Sequence, residues 1–500
     1  MQFDVRGLGA KWCLFVIAAT LSLAVAGDLR LVQAVRDQDV DLARELVGQG
    51  VDVNTAQGDG ATALHWAAHR DDLETAELLI RSGARADVAN ELGATALHVA
   101  CHNRSGLMVE LLLGAGTDAN AKLLNGETVL MTCSRTGDAR SVKALLAHGG
   151  KVNEKESGHN QTALMWAAAQ GHPEVVRLLL QAGADFRARS ITYPQTVVDE
   201  STQRSGREEL NYTVLRGGST PLLFAARNGD VESAKLLLEA GAAANDSMSD
   251  GMSALVLAAH SGHSDVGIAL LEKGADPNNI GIGYTALHAA VLRSQLDLVE
   301  ALLVHGADPN IRMTKGTPIR RSTADFNLPK TLVGATPYLL AAKFAEADIM
   351  RSLVARGADP HLTMPDGTTP LMTAAGMGSR RGGNRRGISS IVPGGQPPQP
   401  ESQILEAVIA ALELGGDVNA VNQAGDTALH SAAANGYNSV IRFLAERGAE
   451  INVKNGGGLT PLAALMRPAG RRGQSAADDN DGEVRDSSTV ELLLTLGGTQ

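Results

Sequence analysis

Two closely similar stretches, GATALHWAAHR from Gly60 to Arg70 and GATALHVACHN from Gly93 to Asn103, hold the residue types most able to do chemistry. Each places two histidines at i, i+4 spacing, His65/His69 and His98/His102, and the second adds Cys101. On a helix such a pair lies on one face, one turn apart, which is how two ligands of a metal site can be presented. Completing four ligands takes a carboxylate or thiolate, and none stands at a suitable spacing; Cys101 is one residue out of phase with His102. Nucleophile turns of the Gly-x-Ser-x-Gly kind, phosphate-binding glycine loops and zinc-protease helices are lacking from the sequence. Acidic residues fall in turns and solvent faces, with no pair set apart. The residues predict no enzyme, no catalytic residue, no cofactor and no bound metal. The alternative reading is a metal- or small-ligand-binding module built on the histidines.

The 500-residue chain has 55 glycines, 3% aromatics and a formal net charge of −11. Large cores usually hold more aromatic bulk, so this composition predicts a thin architecture of small side chains. The negative balance argues against nucleic-acid binding. Residues 1–26 read as a signal peptide: Arg6 and Lys11 precede the apolar run Trp12 to Ala26, which ends in Ala24-Val25-Ala26. That run is short of the ~20 residues of a spanning helix, and an uncleaved anchor is the other reading. Cys13 lies inside the leader, leaving Cys101 and Cys133 in the mature chain. Two cysteines predict no disulfide framework, and Cys133, in a slot where Ala100 and Ala167 stand, is expected as a buried thiol.

Elements that could position these residues emerge from self-similarity. The TALH phrase recurs at Thr62, Thr95, Thr128, Thr162, Thr220, Ser253, Thr285, Thr336, Thr369, Thr427 and Thr460. Successive spacings are 33, 33, 34, 58, 33, 32, 51, 33, 58 and 33 residues. A second phrase follows, as in ELLIRSGARAD, RLLLQAGADFR and ALLVHGADPN. Residues before Thr62 form a twelfth copy without its opening turn.

Both phrases resemble the ankyrin repeat, Gly-x-Thr-Pro-Leu-His-x-Ala-Ala and then a leucine-rich helix ending in Gly-Ala-Asp-x-Asn. The likeness covers Asp28 to Gln500. It implies an all-α repeat solenoid of about twelve β-turn plus helix-pair units, in which the end of the first helix lines a concave, partner-binding face. Local physics agrees. Threonine is a good N-cap, and Pro221, Pro337, Pro370 and Pro461 follow at the first helical position, where a missing N–H costs nothing. Gly83, Gly183, Gly274, Gly306 and Gly448 stand where a helix ends in a left-handed residue.

In this register the third helical position holds His65, His98, His288 and His430, while sister copies carry Met131, Met165, Leu223, Val256, Leu339, Met372 and Ala463. Apolar residues substitute freely there, so the pairs Thr62/His65, Thr95/His98, Thr285/His288 and Thr427/His430 are expected to cap helices. One turn on, His69, His102, Arg135, Ala169, Arg227, His260, Leu292 and Lys343 form a mostly polar or basic stripe, expected to be solvated and to face a partner. Trp66 and Trp166 share a packing slot.

Four insertions interrupt the array. Residues 28–188 hold repeats one to five, and 189–218 form a finger with the β-prone phrases TYPQTVV and NYTVL, read as a β-hairpin presenting Tyr193 and Tyr212 or as an irregular loop. Repeats six to eight span 219–311, and a basic finger insertion with Arg320 and Arg321 spans 312–333. Residues 334–375 hold repeat nine and the start of repeat ten. The segment 376–402 (SRRGGNRRG, then PGGQPPQP) is expected to be a disordered linker; an RNA-binding reading fits poorly with the leader and the acidic whole. Repeats ten to twelve continue over 403–466, a polar insertion spans 467–488, and the last helix spans 489–500.

Function is expected to be non-enzymatic protein binding by an exported, monomeric scaffold, bacterial and either periplasmic or secreted. Its mature chain would cross no membrane and bind no nucleic acid. Both finger insertions project on one side, three repeats and so roughly 30 Å apart, like jaws. Tyr193, Tyr212, Arg227, His260, Arg320, Arg321 and Lys343 are the predicted partner contacts.

Overall fold

The computed structural model describes residues 28–198, 211–317, 328–378, 399–466 and 487–500. The leader, Arg320 and Arg321, and most of the third and fourth insertions lie outside them. The chain divides into two compact units, residues 1–188 and 189–500.

Each unit is a stack of helix pairs. In the first unit the pairs are α1 (Arg30–Arg36) and α2 (Val40–Gly48), α3 (Ala63–Arg70) and α4 (Leu73–Arg81), α5 (Ala96–His102) and α6 (Gly106–Gly114), α7 (Val129–Thr136) and α8 (Ala139–Ala147), α9 (Ala163–Gln170) and α10 (Pro173–Gln181). The second unit opens with a hairpin of β1 (Thr192–Val198) and β2 (Asn211–Gly217). Its pairs are α11 (Pro221–Asn228) and α12 (Val231–Glu239), α13 (Ala254–Ser261) and α14 (Ser264–Glu272), α15 (Ala286–Leu292) and α16 (Leu296–Val304), α17 (Pro337–Lys343) and α18 (Ala347–Ala355). They continue as α19 (Pro370–Ala374) and α20 (Glu401–Glu413), α21 (Ala428–Asn435) and α22 (Asn438–Glu446), α23 (Pro461–Met466) and α24 (Ser487–Thr495). This is an all-α repeat solenoid fold.

Capping side chains start the helices. Thr128, Thr162, Ser253 and Thr336 accept from the backbone N–H three residues on, and Asp39, Asp72 and Asp230 do the same for second helices. Second helices end on a left-handed glycine. An added Cβ at Gly83 would meet nothing within 4 Å, so its φ of 93° alone asks for glycine. First helices pack against those before and after them, α5 between α3 and α7. Their contact residues, among them Ala67, Ala68, Ala100, Ala167 and Ala168, are fully buried. Small side chains let these helices approach closely, which accounts for the scarcity of aromatics.

A recurring asparagine joins neighbours. Asn54 Nδ2 donates to the Gly83 carbonyl at 3.0 Å, and its Oδ1 accepts from Arg85 N at 2.7 Å. Asn120, Asn153, Asn245, Asn278, Asn310, Asn419 and Asn452 make the same carbonyl contact with the glycine closing the next repeat. The sequence placed these residues in a turn; their side chains in fact satisfy a backbone carbonyl left open at a helix end.

One expectation is corrected. Cys101 of α5 and Cys133 of α7 form a disulfide, so Cys133 is no free thiol. Their sequence separation is 32 residues, one less than a full period, and their Cα atoms lie 4.7 Å apart, within the reach of a disulfide. A first helix touches the repeat before it and the repeat after it with different slots. Residues one position out of phase therefore face each other across neighbouring repeats, as Cys101 and Cys133 do.

Boundaries at the later insertions also shift. The helix after the third insertion begins at Glu401, whose carboxylate accepts from Ser439 N and Oγ at 2.6 Å each. The last helix begins at Ser487.

Reduction, or replacement of both cysteines by alanine, should lower the unfolding free energy of the first unit by about 2–4 kcal/mol, because the bond closes a loop of one repeat in the unfolded chain. Calorimetry with and without reductant checks this, and an unchanged transition would contradict it.

Candidate partner-binding face

The four histidines that follow the cap threonines lie in the stack. His65 Nδ1 lies 3.2 Å from Thr62 N and 3.0 Å from Thr62 Oγ1, while Nε2 lies 3.0 Å from the Ala94 carbonyl of the next repeat. His98, His288 and His430 repeat the Nδ1 contacts with Thr95, Thr285 and Thr427. Nε2 of His288 faces Ala335 O at 3.4 Å, and that of His430 faces Leu459 O at 3.1 Å. An Nδ1 that accepts from the cap N–H leaves Nε2 to donate, so each ring is neutral. His65, His288 and His430 so tie their own helix starts to the following turn, whereas Nε2 of His98 is enclosed without such a contact. The forward bond had no signal in the sequence, because its acceptor is a backbone carbonyl about one repeat away.

The stripe one turn further on is not uniform. His69, His102, Arg135 and Arg227 are exposed, Ala169 and Lys343 half-buried, and Leu292 buried. His260 departs from the solvated position expected of it. Its ring packs 6.1 Å from buried Tyr284, its Nδ1 is enclosed, and burial pushes its pKa down to about 4. Tyr284 is the aromatic residue standing before a cap, and the half-buried histidine ring rests against it. His69 meets the edge of Trp66 at 5.6 Å, and Arg36 lies 5.9 Å over that ring. Arg135 lies 4.9 Å over Trp166 and 3.4 Å from Glu127. Among the described residues, no three His, Cys, Asp or Glu side chains are grouped to hold a metal.

The first finger is an antiparallel hairpin in register Tyr193↔Arg216 and Val197↔Tyr212. Tyr193 is 41% exposed. Its foot is anchored by contacts the sequence did not show. Arg189 Nη1 donates to Gly218 O at 2.7 Å and Ser247 O at 3.0 Å, and its guanidinium pairs with Asp246. Arg216 Nη1 reaches Asp250 at 2.8 Å in a largely buried pair. The second insertion uses the same device. Arg312 Nη1 donates to Gly334 O and Thr363 O, both at 2.7 Å. In both cases an arginine at the start of the insertion grips the returning chain and the next repeat. Beyond that foot, Lys343, Asp366, Leu332, Leu339, Met364 and Met377 line a cavity of about 210 Å³.

Carboxylates are sorted between the two helices of a pair. In the described residues, all twelve first helices, α1 to α23, contain no Asp or Glu, while they carry Arg36, His69, Arg70, His102, Arg135, Arg227 and Lys343. Carboxylates such as Asp41, Glu45, Glu74, Glu77, Glu110 and Glu232 lie on second helices.

Stacked turn–helix–loop–helix units with a charged first-helix face and anchored insertions define a repeat protein of the protein-interaction class. The family model described as "Ankyrin repeats (3 copies)" matches residues 31–122, 104–190, 203–281 and 222–313. Two described as "Ankyrin repeats (many copies)" match 164–238 and 411–463. The chain belongs to the ankyrin repeat family. It is similar to human ankyrin repeat and SOCS box protein 16, 31% identical over 218 residues that cover 43% of this chain and 47% of that protein. It is also similar to ankyrin repeat and KH domain-containing protein mask-1 of Caenorhabditis elegans, at 27% over 243 residues, 43% of this chain and 9% of that one. A third is the E3 ubiquitin-protein ligase KEG of Arabidopsis thaliana, 24% identical over 337 residues, 60% and 18%. The chain thus spans less than half the length of these relatives, all of them eukaryotic. Among the described residues, no helix is long and apolar enough to cross a membrane.

Burial lowers the pKa of His65 and pushes those of His98 and His288 down to about 4. An unfolded histidine titrates near 6.5, so between about pH 6.5 and 4 the unfolded chain binds a proton that the native chain refuses. Stability is therefore full above that window and falls as pH falls through it. Going from pH 7 to 5 should cost about 2 kcal/mol at His288 alone. His288→Leu, the residue that Leu223 and Leu339 supply in sister repeats, should flatten that part of the dependence in urea titrations at both pH values. An unaltered pH slope would show that the ring is not neutral in the fold.

Proposed function

We propose that the chain is an exported, non-enzymatic scaffold whose first-helix face and finger insertions bind an acidic surface of a protein partner. The observation that carries this reading is the segregation of charge: a chain of net charge −11 keeps every carboxylate off its described first helices. A basic face favours encounter with acidic partner surfaces. Export is supported by the leader at residues 1–26 and, independently, by the Cys101–Cys133 bond, since disulfides persist in oxidising compartments. The periplasm and the extracellular space both fit.

Within the second unit the partner lies along repeats six to nine, between the two finger insertions. Tyr193 and Tyr212 on the hairpin supply aromatic anchors, and Arg227, Arg320, Arg321 and Lys343 supply charge. His260, half-buried against Tyr284, stands with them as a contact. Replacing Tyr193, Tyr212, Arg320 and Arg321 by alanine should leave helical circular dichroism intact and weaken capture of a partner from the exported fraction at least about tenfold, a loss of about 1.4 kcal/mol. Undiminished capture would place the binding surface elsewhere.

A further inference from the structure

The finger turns of the first unit are linked tip to tip by single backbone bonds: Glu91 N to Asp59 O at 2.9 Å, Leu124 N to Leu92 O at 3.1 Å, and Ser157 N to Asn125 O at 2.8 Å. Leu92 and Leu124 thus meet at adjacent tips, and they are 68% and 78% exposed. At the same turn positions, the neighbouring first-unit copies carry Gly58, Asp59, Glu91, Asn125 and Ser157. Isolated exposed leucines are ordinary, but two side by side on turns otherwise polar make a patch. The disulfide joins α5 and α7, the first helices of these same two repeats. The tips with the leucines are therefore held in fixed register by a covalent bond beneath them. The patch runs into the basic face. Glu127, three residues beyond Leu124, is reached by Arg135, which covers Trp166, and Trp66 Nε1 donates to Gln57 Oε1 of its own turn at 3.2 Å.

We propose that repeats two to four form a second recognition surface, distinct from the one between the finger insertions, that takes an acidic peptide segment bearing leucine-like side chains. The apolar side chains of the segment cover Leu92 and Leu124, and its carboxylates face His69, Arg70, His102 and Arg135 on the carboxylate-free helices α3, α5 and α7. Charge complementarity selects the acidic sequence, and the stapled register lowers the ordering cost of binding. This surface rests on the protein-binding reading above, but it lies on other residues and can fail by itself.

The test uses the full chain and a fluorescent synthetic peptide, Glu-Leu-Leu-Glu-Asp-Leu-Glu-Glu-Leu-Leu, with controls in which serine replaces leucine or lysine replaces the acids. Vesicles of equal parts phosphatidylcholine and phosphatidylserine form a further arm. The acidic leucine peptide should bind, and neither control peptide should. Leu92→Ser with Leu124→Ser should weaken binding at least about tenfold with an unchanged melting curve, since both side chains are exposed. Arg70→Glu with Arg135→Glu should weaken it comparably, whereas the alanine variant of Tyr193, Tyr212, Arg320 and Arg321 should bind as the unaltered protein does. Equal affinity in the leucine double variant overturns the tip patch, and a loss confined to the arginine variant would leave only the acidic-partner reading standing. Vesicle binding that needs the leucines, with no peptide bound, would assign the patch to a membrane surface and overturn the proposal. So would failure of the unaltered protein to bind the peptide.

Discussion

Repeats of this chain complete one another's hydrogen bonding. Each second helix ends on a glycine whose carbonyl has no partner inside the helix. In eight places it is met by an asparagine side chain from the repeat before, as Asn54 meets Gly83. Where it spans an insertion, the bond survives the lengthening of the chain. Asn54 and Gly83 are 29 residues apart, but Asn310 and Gly357 are 47 apart and Asn452 and Gly497 are 45 apart. The second and fourth insertions swell the sequence between the partners and leave the contact at 3.0 and 2.9 Å. Insertions are tolerated in the finger or between the two helices because neither place moves the asparagine or the glycine.

Signals that are local were legible in the sequence; signals that cross from one repeat to the next were not. Threonine caps, first-turn prolines and closing glycines each act within a few residues, so the helix pairs could be placed by pattern. The hairpin at Thr192 to Gly217 was legible from its β-prone phrases. The Cys101–Cys133 bond was not, because it depends on which slot of a helix faces forward and which faces back. The partial burial of His260 was not legible for a related reason: the ring it packs against, Tyr284, belongs to the following repeat. The grip of Arg189 and Arg312 on returning strands depends on where an insertion comes back to, and spacing does not reveal that.

Charge and architecture support each other. Basic residues at the ends of first helices sit where the helix dipole favours them, and acidic residues near the starts of second helices, such as Asp41, Glu74 and Glu174, do likewise. Among the described residues, the carboxylates of a helix pair therefore fall on its second helix, while basic residues occur on both. Within each unit, a protein with a formal charge of −11 thus stacks described first helices that contain no carboxylate. The specificity of such a face comes from what interrupts its regularity: the hairpin, the basic insertion, and the two leucines at neighbouring tips.

The covalent link between α5 and α7 also changes what the chain does under load. An array of repeats pulled from its ends yields one unit after another and lengthens as each gives way. Here the 32-residue stretch from Cys101 to Cys133 lies inside a closed loop. However far the rest unravels, that stretch stays out of the load path, about 110 Å of contour at full extension. Tension passes directly from sulfur to sulfur, and everything between them remains slack.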